Sequence, residues 1–133
     1  MEENKKQIIE VLKELGYNPF LDADNDISIC VEMKHIFFYP EYVNDTHYCN
    51  IVLPHISPIA EGDEIVALAA CNMIVRDTRL ISAYVEKTHD AVSVSCDFTY
   101  TDEASLKQNI QESMDILLVA KTIYRRKHFE LSR

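Results

Sequence analysis

Glycine is nearly missing from this chain: Gly16 and Gly62 are its only two in 133 residues, and they stand far apart. Loops that cradle phosphates need glycine where backbone N–H groups must come close to the ligand. Neither G-x-G-x-x-G nor G-x-x-x-x-G-K-[ST] is present, so nucleotide binding through either loop is excluded. The G-x-S-x-G elbow and the H-E-x-x-H zinc helix are absent as well. With only four prolines besides, the chain is expected to keep most of its length in regular elements.

The first of these reads as a helix. Ile8, Val11, Leu12 and Leu15 form one apolar stripe, Glu2 and Glu3 suit the positive end, and Gly16 supplies the stop. Pro19 and the Asp22–Asp26 cluster break the chain, and from Asp26 the period changes to two. Ile27, Ile29, Val31 and Met33 alternate with polar neighbours as a half-buried strand does. Met33-Lys34-His35 reads as a turn into a second strand, Ile36 to Tyr39, stopped by Pro40. After Asn44-Asp45, a third strand carries His47, Cys49, Ile51 and Leu53 on one face and ends at Pro54.

Gly62-Asp63-Glu64 starts a middle helix, Ile65 to Val75, that is apolar on almost every side and should be buried on more than one. A fourth strand follows with Ile81, Ala83 and Val85 on one face. In the fifth, Val92, Val94, Cys96 and Phe98 oppose Ser93, Ser95, Asp97 and Thr99, so the second set is expected to meet water. Thr101-Asp102-Glu103 caps a last helix carrying Leu106, Ile110, Met114, Leu117 and Tyr124. Lys121, Arg125, Arg126 and Lys127 are expected to complement the negative end of its dipole. The order α-β-β-β-α-β-β-α predicts an α+β fold: one antiparallel, twisted sheet of about five strands with helices on one face.

At 133 residues the chain has room for one core, so residues 1–133 are read as a single domain. Its 47% hydrophobic and 26% charged content is that of a folded globular protein. A formal charge of −9 repels phosphate backbones, which makes nucleic acid and anionic membranes poor partners and favours a protein partner. The N-terminus lacks the basic and apolar regions of a signal peptide, and the run Ile65 to Cys71 is too short to span a bilayer. Cys30, Cys49, Cys71 and Cys96 form no Cys-x-x-Cys pair. A reduced, cytoplasmic location is expected.

Few constellations suggest chemistry. Asp22-Ala23-Asp24-Asn25-Asp26 opens like a calcium loop, but Ile27 stands where the turn wants glycine and Met33 where it wants glutamate. It reads as a solvated turn. His47, Cys49 and His55 are the best metal candidates, because His47 and Cys49 share a strand face. A closed zinc site needs four ligands, and no second pair has matching spacing. The competing reading makes Cys49 a core residue and the two histidines strand-end polar groups. No cofactor and no catalytic residue is expected.

The order and lengths of the elements resemble the YbjN-like family of proposed bacterial sensory transduction regulators, which shares the architecture of type III secretion chaperones. The resemblance runs from the first helix through Arg126. Ile51-Val52-Leu53-Pro54, Asn72, the stretch Leu80 to Phe98 and the helix Leu106 to Tyr124 carry it. It implies a non-enzymatic, protein-binding or regulatory role, often as a dimer, and hands over no functional residue. Ile116, Leu117, Val119 and Ala120, apolar all round the last helix, are the expected homodimer surface. On this reading Leu117→Glu or Ile116→Glu splits a dimer in solution and leaves secondary structure intact. The alternatives are a secretion-type chaperone holding an effector protein, and a small-ligand or metal-binding protein built on His47, Cys49 and His55.

Overall fold

A computed structural model describes residues 2–132 of the chain. Helix α1 (Glu2–Glu14) forms over the expected stripe, and Ile8, Val11 and Leu12 are wholly buried. It closes as Tyr17 N–H bonds the Leu12 carbonyl at 2.9 Å and Gly16 N–H bonds the Lys13 carbonyl at 3.0 Å. Gly16 sits at φ +92° in that closure, where a side chain would be strained.

The remaining elements are β1 (Phe20–Leu21), β2 (Ile27–Val31), β3 (Lys34–Val43), β4 (Thr46–Pro58), α2 (Glu64–Asp77), β5 (Ile81–Val85), β6 (Ala91–Tyr100) and α3 (Glu103–Ser132). The strands form one sheet in the order β1-β2-β3-β4-β6-β5, antiparallel throughout. The expected α+β class is therefore what the chain adopts, with the two-residue β1 added to the five strands foreseen.

Two hairpins close without glycine. Glu32 and Met33, then Asn44 and Asp45, occupy both central turn positions at positive φ, between 51° and 68°. That mirror-image turn matches the right-handed twist of the strands it joins. The first turn falls one residue earlier than Met33-Lys34-His35, because Val31 pairs directly with Lys34.

One row of side chains crosses the five longer strands: Ile27, Phe38, Ile51, Cys96 and Ile81 stand opposite one another in turn. None is more than 4% exposed. Leu12 of α1, Ile74 of α2 and Leu106, Ile110 and Leu117 of α3 join the same core. Burying each large apolar side chain contributes roughly 1.5–3 kcal/mol relative to leaving it in water.

Several boundaries differ from expectation for physical reasons. Pro40 does not stop β3, which runs on to Val43. The Val43–Thr46 closure makes alternate residues bond to β4, and Pro40 falls between them, its missing N–H on the side where β2 has already ended. Pro54 lies in an irregularity between Leu53 and Ser57, after which β4 resumes. Asp97 and Thr99 do meet water, but Ser93 and Ser95 are buried. Strand β6 is interior, so neighbours flank these small side chains on both sides: Val52 and Ser82 beside Ser95, Tyr84 beside Ser93. Ser93 Oγ also accepts a bond from His55 N–H at 2.9 Å and donates to the Glu86 carboxylate.

The cap of α3 is reciprocal. Ser105 N–H donates to Asp102 Oδ1 at 2.7 Å, and Ser105 Oγ accepts from Asp102 N–H at 3.1 Å. The bonds from Ser105 hold the Asp102 carboxyl below its ordinary value. Its stabilisation is therefore present at neutral pH and fades as pH falls through that lowered value. At its other end α3 continues to Ser132, so Lys121 to Lys127 do not sit on the last turn and cannot serve its dipole.

The expected dimer surface on α3 is largely interior. Leu117 and Ala120 are buried, Ile116 is half-buried against the core, and Val119 is exposed. An interface through Leu117 or Ala120 would require the core to open. Leu117→Ala is accordingly expected to lower unfolding free energy by roughly 2–5 kcal/mol in a urea titration, with Val119→Ala changing it by about 0.5 kcal/mol or less. Leu117→Glu should leave no folded chain by circular dichroism, rather than a folded monomer.

Candidate functional site

Helix α2 divides into two faces. Ala67, Ala70, Cys71 and Ile74 point into the core, the alanines letting neighbouring elements come close. The other face is not polar: Ile65 is 81% exposed, Leu68 49% and Val75 48%, with Asn72 between the last two. The spacing i, i+3, i+10 keeps these apolar groups on one side of the helix.

Beside this stripe lies β5, the last strand of the sheet on that side. Its hairpin to β6 closes with Glu86 N–H on the Ala91 carbonyl at 2.9 Å. Bonding alternates along an antiparallel pair, so Tyr84 and Ser82 also bond to β6, and the backbone groups of Ile81, Ala83 and Val85 face outward. Side chains of Ala83 and Val85 line the groove of about 490 Å³ that Leu68, Asn72 and Val75 complete. An open strand edge and a bare apolar helix stripe therefore share one surface. Glu64 and His89, 2.8 Å apart, stand at one end of it. Sequence patterning showed α2 to be apolar all round and predicted burial on more than one side; the fold buries one side and leaves this one uncovered.

The helix is held in place from α3. Lys127 Nζ reaches Asp77 at 3.0 Å, and Arg76 Nε bonds the same carboxylate at 2.8 Å. These bonds, that from Arg76 first, hold the Asp77 carboxyl well below the usual carboxylate range. His128 Nε2 meets Asp63 at 2.5 Å, at the start of α2. Ser132 Oγ lies 3.3 Å from His128 Nδ1 while His128 Nε2 meets Asp63, the connectivity of a catalytic triad, but the hydroxyl donates its hydrogen to the His128 carbonyl at 2.8 Å, a backbone bond one turn back on its own helix. The arrangement fastens α3 to α2.

A second uncovered surface is the outer face of the sheet. Phe37 and Tyr39 stack there at 6.5 Å, Tyr48 and Tyr84 are partly exposed, and Asn50 Nδ2 donates to Asp97 at 2.6 Å. Burial, then the nearby carboxylates, raises the Tyr39 and Tyr84 phenols.

The three metal candidates do not converge. His47 is stacked between Tyr42 at 4.4 Å and Tyr100 at 5.1 Å, near α1. Cys49 is buried on the inner face, and burial pushes its thiol up to about 12. His55 lies within the irregularity, eight residues along β4 from His47, and lines a different pocket. Among the described residues, only Asp22, Asp24 and Asp26 bring three potential ligand atoms together. Asp22 Oδ1 there accepts the N–H groups of Asp24 and Asp26 at 2.9 and 3.0 Å, the bonding of a solvated turn.

No protein-family model matches the chain, and no curated protein matches it by sequence. A likeness appears in three dimensions. The crystal structure of YbjN from E. coli, a proposed transcription regulator, superposes with a TM-score of 0.61 over 90% of this chain and 87% of that one. The fold is the one YbjN adopts. At 8% identity the likeness to YbjN carries architecture and no site residue. Among the described residues, no helix is long and apolar enough to cross a membrane.

The cysteines give this geometry a direct check. Burial raises Cys49 to about 12 and Cys71 and Cys96 to about 11, whereas Cys30 is exposed on β2. At pH 8 the folded chain should release one equivalent of chromophore rapidly from DTNB, and all four only in denaturant. More than one fast thiol would mean that the inner face is not closed.

Proposed function

We propose that this chain is a non-enzymatic protein-interaction module whose working surface is the α2 stripe together with the β5 edge, and that it associates with a second copy of itself there. The observation that carries this reading is Ile65, Leu68 and Val75 lying bare beside a strand with unpaired outward backbone groups. Exposed edges in monomers are blunted with proline, bulges or inward-pointing charge. The five residues Ile81-Ser82-Ala83-Tyr84-Val85 carry none of these. An added strand would satisfy the edge and lay its inward side chains on α2, as in recognition by strand addition. A two-fold axis through β5 would let one surface satisfy its own copy. The likeness to YbjN, a proposed regulator, is compatible with a regulatory role.

The test is native mass spectrometry on full-length protein, with sedimentation to obtain the dissociation constant. The expected species has twice the 15.4 kDa chain mass. Leu68→Glu, which changes an exposed side chain, should weaken association at least a hundredfold, about 2.7 kcal/mol, without changing the circular dichroism spectrum. A wild-type monomer at 50 µM, roughly the scale of a weak specific contact, would remove self-association from the reading.

A further inference from the structure

A pocket of about 530 Å³ lies away from that surface, where the β2–β3 hairpin, the irregular part of β4 and α3 meet. Its walls join apolar Leu53 and Ile56 to Lys34, His35, His55 and Lys121. No carboxylate lines it, although the chain has 22 acidic residues against 13 lysines and arginines. Lys34 approaches Glu32 at 3.5 Å across an exposed turn. The side chains of Lys121, His35 and His55 have no ion-pair or hydrogen-bond partner among the described residues.

The backbone builds this pocket. His55 takes φ +54° where the register of β4 shifts, a left-handed conformation that a side-chain-bearing residue adopts infrequently. Irregularities of this kind re-aim a side chain that regular pairing would fix to one face. Met33, at φ +68° in the hairpin turn, is 93% exposed at the mouth and can fold over an apolar guest.

From this charge pattern we infer that the pocket is a binding site for a small carboxylate with an apolar body. The lysines of the rim receive the carboxylate, and Met33 and Pro54 cover the hydrocarbon above the nearly closed Leu53 and Ile56. The volume falls within the range of small-molecule sites, whose walls are mostly apolar with few polar groups. The surrounding acidic surface would repel the same anion elsewhere, which favours this one position.

Isothermal titration calorimetry of the full chain with decanoate, kept below its micelle concentration, tests the inference. One saturable site per chain is expected, with decyltrimethylammonium and inorganic phosphate failing to compete. Lys121→Gln and, independently, Lys34→Gln should each weaken decanoate at least tenfold while circular dichroism stays unchanged. The inference is overturned by absence of saturable decanoate binding, by equal binding of the cationic amphiphile, by phosphate competing as well as decanoate, or by wild-type affinity in both variants.

Discussion

Three helices have to cover one face of a six-stranded sheet, and the structure follows from how far they reach. The row Ile27, Phe38, Ile51, Cys96 and Ile81 needs an apolar lid across the five longer strands. Helix α1 supplies Ile8, Val11 and Leu12, the long α3 supplies Leu106 to Tyr124, and α2 packs towards the β5 end. Covering a row this wide draws the side of α2 that carries Ala67, Ala70, Cys71 and Ile74 inward, the alanines letting it approach its neighbours. Ile65, Leu68 and Val75, on the opposite side, are left facing out.

Insertion of β6 between β4 and β5 sets where the sheet ends. Had β5 joined β4 directly, β6 would be the edge, and its serines would stand on an open margin. As built, Ser93 and Ser95 are enclosed by two neighbouring strands, and the short β5 carries the free backbone groups. One topological choice thus accounts for the buried serines and for the open edge beside α2.

Much of the fold was legible in the residues. Stripes and alternation located all three helices and the five longer strands, because each of those elements buries one side. What was not legible depended on neighbours. Ser93 reads as an outward-facing polar residue, yet whether such a face is wet depends on the strands beside it, which spacing along the chain does not encode. Pro40 and Pro54 read as stops, and both are tolerated where pairing is one-sided or irregular. Glu32 and Met33 carry no turn signature of their own, since the hairpin's closure forces their left-handed backbone. For the site, the sequence marked α2 as unusually apolar but assigned self-association to Ile116, Leu117, Val119 and Ala120, of which α3 turns Leu117 and Ala120 inward and leaves Val119 exposed. His47 and Cys49 stand two residues apart on one strand face, and the run of β4 from His47 to His55 is what keeps the third candidate away.

Glycine scarcity and the exposed surfaces are connected through stiffness. A chain with two glycines must place ordinary side chains at left-handed positions, and His55, Leu80 and His89 do so beside Asn25 and the two hairpin pairs. Each such position is costly to the backbone on its own and persists where the surrounding structure fixes it. Hairpins held by tight two-residue turns and a core shared by all three helices leave few segments able to fold over a bare patch. A surface built on a helix and a strand has less backbone freedom to lose on contact than one built on loops.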